Sequence, residues 1–402
     1  MSRLPHAPSA ATLSTVLSAE LRHLVAAAAA DAGYPGHTGD VGLRDGGAPG
    51  RYSSSLPLRL APHSARLASH SADLAPHSAD LAARMAAHLR STAWIEDAQP
   101  TGHGYLTITV TPGKLTETAV RVTEAGPGCA RSDALAGTSR PAPPTGALTS
   151  ARSWPEARDL LAAQVTARLA AAAGAPVPVP DSAERALVTL DPAAGTGPVP
   201  DAVAFAGQDA ITYALARIPP EHPAALDPAA WARHVPANPA YAVRYAHSCA
   251  ASTLRWAAAL ELTRGEAAVV RPGSLAHPRE RALLAALSWL PEQVARAARR
   301  GRPHEFAAFL EELAETYQVC RLSCPAWPER GDDGAQHEGA QHDGRPGDAR
   351  TVCARLWLAG AAAAGLATGL ELLGVGAPSR LLPDLDPRPA PPGQRTDHEG
   401  MS

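Results

Sequence analysis

Proline sits between the apolar stretches of this chain rather than inside them, and no other feature limits its fold as much. There are 39 prolines and 33 glycines among 402 residues. A proline removes a backbone donor and clashes with the preceding helical turn, so elements must stop where prolines cluster and connections must be many. After Phe205 the segments so delimited carry apolar residues at helical spacing, which predicts helices over about 207–217, 238–262, 278–299, 303–322 and 350–373.

Upstream the pattern is mixed. Leu13, Val16, Leu17, Leu21, Leu24 and Val25 recur at helical spacing after Thr12, and Gly33 supplies a stop, so a first helix is expected there. Residues 34–55 read as a Gly/Ser-rich loop. From Leu60 to Ala87 the heptads LAPHSAR, LASHSAD, LAPHSAD and LAARMAA follow one another, with Leu60, Leu67, Leu74 and Leu81 in register. Pro62 and Pro76 would break the early turns of a coiled coil, and one leucine per heptad is too narrow a seam. The reading is therefore a sequence expansion leading into a helix from about Pro76 to Leu89. Leu106, Ile108 and Val110 alternate with Tyr105, Thr107 and Thr109, as in a half-buried strand. The expected fold class is mainly α. Residues 1–125 form a small α+β domain, and 126–204 a Pro/Ala/Gly-rich linker or degenerate remnant with one helix from Trp154 to Ala173. Residues 205–385 form a helical bundle and 386–402 a disordered tail.

Composition narrows the compartment more than the activity. Lys114 is the only lysine, so basic charge is almost wholly arginine, and the formal net charge of −3 gives no global attraction for phosphate. Any contact with nucleic acid then needs a local basic face. Cys129, Cys249, Cys320, Cys324 and Cys353 form an odd, scattered set, and no secretory or transit segment is read before the first amphipathic stretch, which together fit a reducing cytoplasm. The alanine-rich run from Ala359 to Gly376 is interrupted by glycines and Glu371, and is not read as a membrane span.

Three segments of the helical half, in order, resemble the DALR-type anticodon-binding domain of arginyl-tRNA synthetases. The first runs from GQDAITYALAR to NPAYAVRYAHS, the second is ALLAALSWLPEQVARAA followed by PHEFAAFLEELAETYQVCRL, and the third is ARLWLAGAAAAGLATGLELLGVGAP. More weakly, GRYSSSLPLRLA and PTGHGYLTITV resemble parts of that family's additional N-terminal domain. The resemblance implies a helical bundle that meets the anticodon region of tRNA, with tRNA-Arg the natural partner. It departs from the family at Ser248 and Cys249, where members commonly have a small residue and then arginine after the tyrosine, alanine, histidine run. Between the two matched regions stand only about 80 proline- and alanine-rich residues, whereas a class I synthetase needs a nucleotide-binding fold of roughly 200 residues. No H-x-G-H tetrad occurs, and one lysine cannot supply a lysine-containing closing signature. The expectation is a binding protein without aminoacylation and without a cofactor, ATP being needed only if the chain is an arginine-tRNA ligase.

Candidate contacts follow from helical spacing. Tyr241, Tyr245, Ser248, Ser252 and Trp256 share one face of a helix, where aromatics can stack on unpaired bases or pack on the next helix. With the family resemblance, the tRNA-binding candidates are Tyr241, Arg244, Tyr245, His247, Arg255, Arg299, Arg300 and Arg321. The last three close helices, where cations complement the dipole and can meet phosphates. Tyr317 and Cys320 are read as core. No catalytic residue is expected: there is no GxSxG elbow. No metal site is expected either. His63, His70 and His77 recur every seven residues, His337 and His342 lie in a second tandem repeat, and Cys320 and Cys324 make a CxxxC, none of which has zinc-ligand spacing. A protein-interaction module that reuses the bundle is the third reading, kept by the residues after His247 and by the acidic net charge.

Overall fold

The structure, a computed structural model, describes residues 16–35, 40–65, 74–102, 104–176, 197–326 and 349–381. The middle of the heptad repeat, residues 177–196 of the expected linker, the tract with His337 and His342, and the 386–402 tail lie outside the described residues.

The N-terminal part follows the order α1 (Leu17–Asp31), β1 (Leu43–Asp45), β2 (Arg51–Ser54), α2 (Leu56–Ala65), α3 (Leu74–Arg90), β3 (Ile95–Thr101), β4 (Tyr105–Val110) and α4 (Pro112–Ala125). The strands make one antiparallel sheet ordered β1-β2-β4-β3. Leu106, Ile108 and Val110 of β4 point inward, and Tyr52 and Ser54, paired with Ile108 and Leu106, continue that buried face. β3 is an edge strand, which is why it tolerates Pro100. α3 starts at Leu74, so Pro76 falls in the first turn, where amide donors have no intrahelical acceptor to lose.

Two differences from the sequence reading have physical causes. The loop expected over 34–55 contains β1 and β2, strands of three and four residues; β2 is held by pairing with distant β4 and β1 by pairing with β2, rather than by any local pattern. The helix expected over 278–299 is two helices, α10 (Pro278–Ser288) and α11 (Leu290–Arg300), because Pro291 has no amide to donate and its ring would meet the Leu287 carbonyl of a continuous helix.

The remaining helices are α5 (Trp154–Ala172), α6 (Pro198–Ala206), α7 (Gln208–Arg217), α8 (Pro228–Trp231), α9 (Pro239–Ala259), α12 (Pro303–Ser323) and α13 (Ala349–Leu373). The stretch read as linker or remnant thus supplies a bundle helix: Ser153 caps α5, whose Leu161, Val165 and Leu169 are buried where it packs on α7, α11 and α13. α13 lies centrally, against α4, α9 and α12. By length and composition it could cross a membrane, yet 72% of its most apolar window is buried within this fold. Its close approach requires glycine, since a Cβ on Gly369 would lie 2.3 Å from Leu310 Cδ2.

Sheet and bundle share a core that runs from Val16 to Val375. Tyr52 joins them directly. Its hydroxyl meets Ser288 Oγ at 2.8 Å, and its ring lies 5.2 Å from that of Trp289. The Thr123 hydroxyl at the end of α4 donates to the Trp357 carbonyl of α13 at 3.1 Å.

Candidate nucleic-acid interface

α9 begins with one asparagine that does three jobs. Asn238 accepts from the Ala240 amide at 3.1 Å, capping the helix ahead of Pro239, and its Nδ2 donates to the carbonyls of Trp231 and Arg233, both at 2.8 Å. The buried Asn238 therefore fixes the turn that precedes the helix, and that turn carries His234. The His234 ring stacks on Tyr241 (centroids 5.4 Å, interplanar angle 16°), and Tyr241 stacks on Tyr245 one turn further on (5.6 Å, 12°). The result is a ladder of three near-parallel rings, with His234 and Tyr245 exposed at its ends.

The same face continues along α9 to Trp256, which is 60% exposed. From Tyr241 to Trp256 the helix rises about 22 Å. Arg321, in the last turn of α12, lies within electrostatic reach of Tyr245 and is oriented by a 3.0 Å hydrogen bond to Gln318 Oε1. Leu322 beside it and Leu260 past the end of α9 are exposed as well. Flat rings, one cation and a few apolar side chains form a surface on which unpaired bases can stack while a phosphate meets the guanidinium.

The neighbouring face of α9 does different work. Arg244 pairs with Asp209 at 3.1 Å, and the same carboxylate accepts from the Gly376 amide at 3.0 Å. His247 Nδ1 and Ser248 Oγ both donate to the Pro378 carbonyl, at 3.1 and 2.8 Å, and Arg255 donates to the Ser379 carbonyl at 2.7 Å. Burial pushes the His247 imidazole below its ordinary value, so near neutrality it is uncharged and its Nδ1 carries the hydrogen. These four side chains hold residues 376–379 against the helix. Ser248, expected beside the tyrosines, faces inward. Tyr317 and Cys320 are buried in the core.

Arg299 and Arg300 form a separate group. Arg299 pairs with Asp40 at 3.3 Å, and Glu305 faces Arg300 at 3.1 Å and Arg296 and Arg302 at 3.8 Å. Glu305 thus serves three guanidiniums, and Glu221 also lies within electrostatic reach of Arg302. This group stands at the start of α12 and Arg321 at its end, about 27 Å apart along the helix. Of the eight candidates the fold brings Tyr241, Tyr245 and Arg321 to one surface, sets Arg299 and Arg300 at another, and turns Arg244, His247 and Arg255 to an internal clamp. His234 was missed. Its signal was an aromatic side chain placed just ahead of an Asn-Pro helix start, close enough to fold back on the first turn. Among the described residues, no group of three or more His, Cys, Asp or Glu is placed to hold a metal.

Residues 243–327 match the DALR anticodon binding domain family. The arginine–tRNA ligase of Micrococcus luteus is 38% identical over 181 residues, 45% of this chain and 30% of that protein. The arginine–tRNA ligase of Paenarthrobacter aurescens is 36% identical over the same length and shares. The solved Thermus thermophilus arginyl-tRNA synthetase is similar at 23% identity with a TM-score of 0.33, over 56% of this chain and 32% of that one. The chain thus spans about 30% of the length of the curated relatives it matches.

Proposed function

We propose that this chain, which carries a DALR anticodon binding domain and is homologous over that region to arginine–tRNA ligases, binds tRNA at its anticodon region without aminoacylating it. The single observation that carries the reading is the His234–Tyr241–Tyr245 ring ladder beside Arg321, an aromatic and cationic surface at and next to the stretch that matches the domain. Bases of an open loop stack on the rings and on Trp256, and Arg321 meets the backbone; Arg299 and Arg300 offer a second phosphate contact. Arg244, His247 and Arg255 act indirectly by keeping α9 seated against residues 376–379.

The non-catalytic part of the reading rests on the chain's middle. A class I synthetase forms adenylate on a parallel, nucleotide-binding sheet. Here the described part of 126–204 contributes α5 and α6 to the helical bundle, and the one sheet among the described residues is antiparallel. The single lysine is engaged in the N-terminal part: Lys114 pairs with Glu20 at 2.5 Å and lies over the Trp94 ring. Cytoplasmic placement, tRNA-Arg as the preferred partner and independence from ATP belong to the same proposal.

The test is binding of the purified chain to tRNA-Arg and to an unrelated tRNA, with ATP and arginine in parallel samples. Selective binding with no charging is expected. Charging above background would overturn the non-catalytic part. Absence of binding at low salt would favour a protein partner on the exposed Trp256, Leu260 and Leu322 surface instead.

A further inference from the structure

A second site lies away from the ring ladder, where the turn between β1 and β2 meets α10, α11 and α12. A cavity of about 370 Å³ opens there. Trp289, Phe309 and Glu292 are buried in its floor, and Arg44, Asp45, Arg296 and Glu312 stand exposed at its rim. Glu292 is the unusual member. It is 7% exposed, lines the cavity, and has no hydrogen-bond or ion-pair partner among the described residues. Three arginines within electrostatic reach offset part of its charge, and each also pairs with another carboxylate: Arg22 with Asp133, Arg299 with Asp40, Arg296 with Glu305. A buried carboxylate without a partner is costly, and natural folds keep such a group where a ligand completes it.

The flanking rings say which ligand. A carboxylate that lines the same cavity as the indole of Trp289 and the ring of Phe309 offers charge and aromatic surface together, the combination that selects organic cations over metal ions or anions. We propose that this cavity binds a small organic cation, a primary ammonium or guanidinium compound whose head meets Glu292 and whose stem lies along Trp289 and Phe309. The mixed charges of the rim then meet polar groups at the far end of the molecule. Because β1 and the β1–β2 turn close one side and α10 to α12 the other, an occupant would also tie the sheet to the bundle.

Burial pushes the Glu292 carboxyl up to about 7, with Asp40 raising it further and Arg299, Arg22 and Arg296 opposing. Arg44, Asp45 and Glu312 are the other charged groups lining the cavity. A bound cation favours the ionised form, so binding releases a proton and weakens as pH falls from 8 to 6.

The experiment is calorimetric titration of the full chain with butylammonium and butylguanidinium at pH 8, with butanol and butyrate as uncharged and anionic controls. Saturable binding of the cations alone is expected, with a dissociation constant on the order of 1 mM or tighter. Glu292→Gln keeps the shape and removes the charge, and should weaken binding about tenfold. Ala286→Leu, which fills the cavity from α10, should abolish it. If Glu292→Gln does not fold, the cavity-filling variant and the pH dependence still decide. Equal binding of butanol, undiminished cation binding by Glu292→Gln or Ala286→Leu, or no saturable binding by the unaltered chain overturns the proposal.

Discussion

At the residue scale, two side chains two positions apart on α9 separate structure from recognition. Tyr245 is exposed and ends the ring ladder; His247 is buried and donates to a backbone carbonyl. Tyr245→Ala is expected to weaken RNA binding about tenfold, the lower end of the ~1–3 kcal/mol that one stacked base contributes, while moving stability by less than ~1 kcal/mol. His247→Ala should cost about 1–3 kcal/mol in denaturant unfolding and leave the RNA contact surface in place. The sign of its pH dependence follows from the direction of its shift. Burial lowers the folded value below that of the unfolded chain, so the folded state takes up its proton later than the unfolded state does. The stabilisation is complete above the ordinary histidine value of about 6.5 and is lost as pH falls through the folded value. Denaturant midpoints measured from pH 7 down to pH 5 should therefore drop less steeply in His247→Ala than in the unaltered chain.

At the element scale, the seating of α13 depends on a residue with no side chain. Gly369→Ala gains helix propensity of up to about 1 kcal/mol, but its Cβ would overlap Leu310, which is fully buried and has no free space to turn into. We expect a net loss of about 1–2 kcal/mol in chemical denaturation; a gain would mean that α13 and α12 are not packed as described. Elements like α13 and α9 were legible in the sequence because each carries its own signal, a long apolar period or an Asn-Pro start. β1 and β2 were not, since three or four residues cannot show a period and the strand that anchors the pair, β4, lies more than fifty residues beyond β2. The break at Pro291 was legible in principle, as proline is its whole cause. α4 carried overlooked signals: Thr111 as its cap, Pro112 in its first turn, and Leu115, Ala119 and Val122 on its buried side. Tyr241, Tyr245 and Trp256 lie on α9 as their spacing predicts, with Tyr245 and Trp256 exposed. Spacing alone could not show that Ser248 turns inward, because only the return of residues 376–379 makes that side of the helix an inside.

At the scale of the whole molecule, the sheet and the bundle share one core through Tyr52, Ser288, Trp289 and the α4–α13 contact, so they should unfold together. Tryptophan fluorescence and far-ultraviolet circular dichroism are expected to give coincident denaturation curves, and Tyr52→Phe should shift both by about 1 kcal/mol. Electrostatics at this scale predict a modest role for salt. With a net charge of −3 and Arg321, Arg299 and Arg300 as the proposed phosphate contacts, no long-range field draws RNA in. The logarithm of affinity should then fall with the logarithm of salt with a slope of about −2, far shallower than for a polybasic binder. The most direct test of the central claim is the affinity of the unaltered chain and of Tyr245→Ala for an isolated tRNA-Arg anticodon stem-loop, titrated across that salt range. Binding with a shallow salt slope is expected, weakened about tenfold by Tyr245→Ala with the slope unchanged. Equal affinity of the two proteins for the stem-loop, or no binding by either, would contradict that claim.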